Sequence, residues 1–161
     1  MAAKPKILIV EDDTPVAMMM SYLLTRANCE TEVATTGRKA LQMAQDGHFD
    51  LVTLDIDLPD GNGFEICRRL KENPFFQTPI IFVSGRPLEQ DIQHGLKLGA
   101  VDYIAKPFGV ELAPRLLSHV NPAEILVRHP FPEVSLNNQM SELRTKEHED
   151  LISRHLCDRN K

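Results

Sequence analysis

Short apolar runs alternate with longer stretches of helical periodicity along residues 4–120. The runs are KILIV (6–10), TEVA (31–34), LVTL (51–54), PIIFV (79–83) and DYIA (102–105). The first, third and fourth are almost unbroken and rich in β-branched residues, as expected of strands buried on both faces. Between them the apolar positions recur every three to four residues. Thr14 and Pro15 read as the cap and first turn of one helix, lined by Val16, Met19, Met20, Leu23 and Leu24. The Met18–Met20 run belongs to that packing. Thr36 caps a second helix, carrying Ala40, Leu41 and Ala44 and stopping at Gly47. GFEICRRLKEN, PLEQDIQHGLKLG and VELAPRLLSHV supply three more. Pro114 falls inside the last of these. An interior proline costs about 3 kcal/mol, so that helix is expected to start late or kink.

Strand and helix alternating five times predicts an α/β fold, a (βα)5 doubly wound parallel five-stranded sheet spanning residues 4–120. Residues 121–161 form an extension with a Pro-rich opening, then a candidate amphipathic helix on Leu143, Leu151, Ile152 and Leu156. Ordinary apolar (42%) and charged (25%) fractions fit a soluble globular chain. Without a membrane-length apolar run or a signal peptide, the expected location is the cytoplasm. A net charge of −5 offers nucleic acid and acidic membranes no general attraction. Cys29, Cys67 and Cys157 are odd in number and scattered, so they read as reduced thiols. The six histidines lack metal-ligand spacing and read as surface or core residues.

In such sheets ligands bind outside the carboxyl ends of the strands. The residues at those ends are Glu11 and Asp12, Asp55, Ser84 and Lys106. Each has an ordinary explanation alone: acids suit a helix start, and a lysine before proline suits a solvated loop. Asp57 and Asp60 suit a turn, with Gly61 and Gly63 at positive φ. Gathered at one rim, they describe chemistry. Three crowded carboxylates call for a cation, and Mg²⁺ suits carboxylates that leave room for water and a phosphate oxygen. Lys106 adds a compact positive charge and Ser84 a hydroxyl donor. Asp55 is then a candidate nucleophile that would form an acyl phosphate.

ILIVEDD, LVTLDIDLPDGNGFE, PIIFVSG and GAVDYIAKPF, in this order and spacing, resemble the receiver domain of two-component response regulators, a flavodoxin-like fold of the chemotaxis-response-regulator kind. The resemblance covers roughly residues 4–120. It implies that Asp55 takes a phosphoryl group from a sensor histidine kinase or phosphotransfer protein. It makes Asp12 a direct Mg²⁺ ligand, Glu11 a ligand through water and the Asp57 backbone carbonyl a further ligand. Ser84 becomes the switch hydroxyl, Tyr103 the switch aromatic and Lys106 the phosphate-contacting lysine, with a cis Lys106–Pro107 bond. Asp57 and Arg86 occupy positions that influence dephosphorylation, and are expected to pair across the pocket. Gly85 stands where alanine is commoner, which would loosen that loop. The chain would act as a phosphoacceptor rather than a turnover enzyme. Its output would go to a downstream protein, or to a homodimer through the fourth helix, fifth strand and fifth helix or through the tail.

Two alternatives belong to other classes. TLDIDL also resembles the nucleophile motif of haloacid-dehalogenase-type phosphatases, with Asp57 as acid and base. Against that, an acidic strand end precedes it and no acidic pair follows Lys106. Residues 142–156 faintly resemble the first helix of a winged-helix DNA-binding regulator. That resemblance stops before any recognition helix, and the six basic and seven acidic residues of 121–161 disfavour direct DNA contact.

Overall fold

The computed structural model describes residues 3–123. Along the chain run β1 (Lys6–Val10), α1 (Thr14–Arg26), β2 (Glu30–Ala34), α2 (Gly37–Asp46), β3 (Leu51–Leu54), β4 (Asp57–Leu58), β5 (Gly61–Asn62), α3 (Gly63–Glu72), β6 (Ile80–Ser84), α4 (Glu89–Lys97), β7 (Asp102–Ala105) and α5 (Leu112–Leu117). The expected tail helix and Cys157 lie outside the described residues. Among the described residues, no helix is long and apolar enough to cross a membrane.

β2, β1, β3, β6 and β7 form one parallel sheet in that order, as the alternating pattern predicts. The central strands are buried along their length because both faces are covered. Leu8, Val10, Val52, Leu54, Ile80 and Phe82 meet Ala40 of α2 and Ile66, Cys67 and Leu70 of α3 in one cluster. Alternation along each strand sends Ile7, Ile9, Leu51 and Ile81 to the opposite face. That face is buried with Ala17, Met20 and Leu24 of α1 and Leu112 and Leu116 of α5. Each of the large aliphatic and aromatic side chains removed from water contributes about 1.5–3 kcal/mol before entropy is counted.

Several local expectations need correction. Asp13, not Thr14, caps α1: its carboxylate accepts the Val16 amide at 3.1 Å. Of the three consecutive methionines only Met20 is buried, whereas Met18 and Met19 face solvent. Pro114 lies in the first turn of α5, which begins only at Leu112. Its missing N–H is one the helix could not have used, and Arg115 makes the first bond, to the Glu111 carbonyl at 3.2 Å. The proline therefore delays α5 rather than kinking it. Thr36 does cap α2, accepting the Lys39 amide at 3.1 Å.

Neither Gly61 nor Gly63 takes a positive φ; among the described residues Gly99 (102°) and Asn28 (65°) do. Gly63 is required for space instead. A Cβ there would stand 2.0 Å from the Asp55 carbonyl oxygen, against open space at Gly61. The chain after Asp55 doubles back through the β4–β5 ribbon and closes with a 2.8 Å bond from the Gly63 amide to the Ile56 carbonyl. Gly63→Ala should therefore destabilise the protein in urea unfolding by about 3 kcal/mol, the upper range for overpacking. Gly61→Ala should stay within about 0.5 kcal/mol.

Candidate functional site

Register gathers the site. β1 and β3 pair Val10 with Leu54, so the residues that follow, Glu11 and Asp55, emerge side by side. The Asp55 amide is bound to the Val10 carbonyl at 3.0 Å, and the Glu11 amide to the Ala34 carbonyl at 3.0 Å. β6 and β7 pair Ser84 with Ala105, and the Lys106 amide continues the ladder to the Ser84 carbonyl at 2.9 Å. The Lys106–Pro107 peptide is cis. The side chain of Lys106 crosses to the acids, with Nζ 2.5 Å from Glu11 Oε2 and 2.9 Å from Asp55 Oδ2.

Glu11 and Asp55 are buried, at 1% and 5% exposure, while Asp12 is open to solvent. A carboxylate removed from water this far needs a partner, and Lys106 supplies one to both. Carboxylate oxygens of Glu11, Asp12 and Asp55 all lie within 4.8 Å of one another. One ammonium among three acids leaves negative charge in excess. Burial raises the Glu11 pKa despite Lys106, with Asp55 adding to the rise. Burial alone would lower the Lys106 pKa, but hydrogen bonds to Glu11 and Asp55 outweigh it and push that pKa up. The donors are hard oxygens around a negative pocket open on the Asp12 side. That set fits a magnesium-like cation and would suit a soft metal poorly.

The remaining predicted residues stand around this pocket. Arg86 meets Asp57 with Nε 3.2 Å from Oδ2 and a second nitrogen 3.1 Å from Oδ1, so the expected pair forms. The Ser84 hydroxyl oxygen is fully buried and accepts the Arg86 amide at 3.3 Å. Tyr103 is buried beside Phe82, ring centroids 6.1 Å apart, and its hydroxyl donates to the Arg86 carbonyl. Burial pushes the phenol pKa up; Asp91 and Asp55 add to the shift, and a hydrogen bond with Ser84 opposes it. Asp57 donates its amide to Asp55 Oδ1 over a long 3.4 Å.

Two supports escaped sequence reasoning. Arg115 of α5 holds Asp102, the residue before Tyr103 at the start of β7, with bonds of 2.9 and 2.8 Å and also reaches the Tyr103 carbonyl at 3.1 Å. His119 joins at 3.1 Å from Asp102 Oδ2. Burial would raise the Asp102 pKa, but Arg115, the Tyr103 amide and His119 together hold it below the ordinary carboxylate value. The second support is Asp60, whose carboxylate accepts the amides of Gly37 at 2.7 Å and Arg38 at 2.9 Å. Aspartate in a turn was its only sequence signal. Its partners lie more than twenty positions away, and no local pattern reports them.

Known proteins share this fold. The family model described as response regulator receiver domain matches residues 7–119. Response regulator ArlR of Staphylococcus saprophyticus is 40% identical over 106 residues, covering 66% of this chain and 47% of that one. ArlR of Staphylococcus aureus is 36% identical over 129 residues, covering 80% and 56%. The chain thus spans about half the length of the curated relatives it matches. Among solved structures, the Vibrio cholerae chemotaxis protein CheY4 superposes with TM-score 0.69 at 32% identity, covering 74% of this chain and all of that one. The receiver domain of sensor histidine kinase PA1611 from Pseudomonas aeruginosa gives 0.66 at 27% identity, covering 72% and 97%; its structure has a magnesium ion coordinated in the active-site cleft. With the family model spanning the sheet and every strand end that builds the pocket, this chain belongs to the response regulator receiver domains of two-component systems.

Proposed function

We propose that Asp55 is the phosphoacceptor, taking its phosphoryl group from a phosphohistidine on a sensor kinase or phosphotransfer protein. The observation that carries this reading is a buried carboxylate at the end of the central strand, with an ammonium at 2.9 Å and two further acids beside it. A carboxylate oxygen of Asp55 attacks phosphorus, the P–N bond to the donor imidazole breaks, and the imidazole leaves with the electron pair. Lys106 neutralises developing charge on the phosphoryl oxygens from the Glu11 side. Held by Asp12, Asp55 and the Asp57 carbonyl, with Glu11 through water, Mg²⁺ would supply the rest of that charge neutralisation.

The acyl phosphate then competes for the Ser84 proton. A Ser84 hydroxyl drawn toward phosphate loosens its bond from the Arg86 amide, and that loop also carries the carbonyl that holds Tyr103. Phosphorylation shifts an existing equilibrium of this loop and so changes the surface around α4, β7 and α5 for a downstream protein or a second copy. The phosphatase alternative needs a free Asp57 carboxylate to protonate a leaving group, but Arg86 engages both of its oxygens. That pair is half-exposed and contributes little stability, so its value lies in restricting water's approach to the acyl phosphate.

Acetyl phosphate with Mg²⁺ should add one phosphoryl group per chain, seen by intact mass at low temperature, and Asp55→Asn should abolish it. Mg²⁺ should raise the melting temperature of the unphosphorylated chain, a gain that Asp12→Ala removes.

The pH dependence follows from Glu11. Burial holds its folded pKa above the ordinary 4.5, so the destabilisation that ionised Glu11 imposes on the metal-free protein is relieved as pH falls through the folded value, fully so below the unfolded one. The same proton competes with the cation, so Mg²⁺ stabilisation should fade on acidification, and Glu11→Gln should remove that competing step in thermal-shift titrations. Asp57→Ala should speed loss of the phosphoryl group by opening the pocket to water; an unchanged dephosphorylation rate counts against the gate.

A further inference from the structure

The segment between Asp55 and α3 is a closed unit. Asp57 pairs with Asn62 and Leu58 with Gly61 in the β4–β5 ribbon. Asn62 caps α3 by accepting the Phe64 amide at 2.8 Å, and Gly63 closes on the Ile56 carbonyl. Such a unit moves as one piece, so whatever holds it determines where the Asp57 carbonyl points. Leu58 packs into the apolar core, and two polar side chains of the ribbon also reach outside it. Asp57 reaches Arg86 toward α4, and Asp60 reaches α2 on the other side.

The Asp60 attachment is the stronger of the two. Its carboxylate takes two backbone amides at the positive end of a ten-residue helix, and α2 carries no acid of its own in the first turn. Those amides keep the Asp60 pKa below the ordinary carboxylate value, so the group stays charged. Gly37 allows the approach. A Cβ there would stand 2.7 Å from Ile66 Cδ1 of α3 and 3.3 Å from Asp60 Oδ1, so a larger residue would crowd α3 first and the Asp60 carboxylate with it.

We propose that Asp60 is a positioning residue for the cation site: by lashing the ribbon to the start of α2, it holds the Asp57 carbonyl where Mg²⁺ requires it. The inference rests on the phosphoacceptor reading above. Mg²⁺ demands near-ideal octahedral geometry at short distances, so a ligand free to drift weakens binding more than it weakens the fold.

Calorimetric titration of the full chain with Mg²⁺ tests this, using Asp60→Ala, Asp60→Asn and Thr36→Ala. Thr36 also caps α2, through a bond that lies wholly at the start of that helix, so Thr36→Ala reports what weakening the helix does alone. Both alanine variants should lower the unfolding midpoint in urea. Asp60→Ala should weaken Mg²⁺ binding about tenfold, as loss of an outer-shell support does, whereas Thr36→Ala should bind as the parent does. Asp60→Asn, which keeps one oxygen acceptor, should fall between. Saturating Mg²⁺ should restore the rate at which Asp60→Ala takes phosphoryl from acetyl phosphate. Unchanged Mg²⁺ affinity in Asp60→Ala, or an equal loss in Thr36→Ala, overturns the inference while leaving the phosphoacceptor reading intact. A parent chain that neither binds Mg²⁺ nor gains phosphoryl mass overturns both.

Discussion

A single ammonium group, that of Lys106, stands between two carboxylates that have almost no access to water. Nothing else among the described residues neutralises Glu11 and Asp55, and a buried acid left unpaired would cost several kcal/mol. The pairing is also incomplete, because three acids share one cation. That imbalance makes the pocket receptive. It suits a divalent ion, and on the phosphoacceptor reading proposed above it would let the lysine follow charge from carboxylate to phosphate without a net loss of partners. The sheet order serves this contact: Lys106 follows the edge strand β7, two strands away from the β3 end that presents Asp55.

Much of this was legible in the chain because the relevant physics is local. KILIV, LVTL and PIIFV are apolar where a doubly covered sheet demands it, and the first polar residue after each marks where the strand leaves the core. A parallel sheet puts all those exits on one edge, so five short runs suffice to assemble Glu11, Asp55, Ser84 and Lys106. The Asp57–Arg86 pair was expected from the resemblance, which places these residues two beyond Asp55 and two beyond Ser84.

What escaped was set by tertiary contact or by a choice between neighbours. Asp13 and Thr14 both qualify as caps, and only the backbone path decides for Asp13. Gly63 looked like a turn glycine, yet its constraint is a carbonyl eight residues earlier that no local pattern reveals. Met18 and Met19 precede the buried Met20, and composition cannot separate them. The late start of α5, by contrast, was one of the two outcomes expected from Pro114. Asp60 and Asp102 share one history, each a polar residue whose meaning lies in a distant helix.

The arrangement of Tyr103 has a spectroscopic consequence. The chain has no tryptophan and only two tyrosines, and they occupy opposite surroundings. Tyr22 stands 59% exposed on α1, while the phenol of Tyr103 is enclosed beside Phe82 and tied to the loop that carries Ser84 and Arg86. Ultraviolet emission from the unlabelled molecule therefore comes from one phenol that water dominates and one that the pocket dominates. Rearrangement of that loop would change the environment of the second, which makes Tyr103 an intrinsic optical reporter of the switching proposed above.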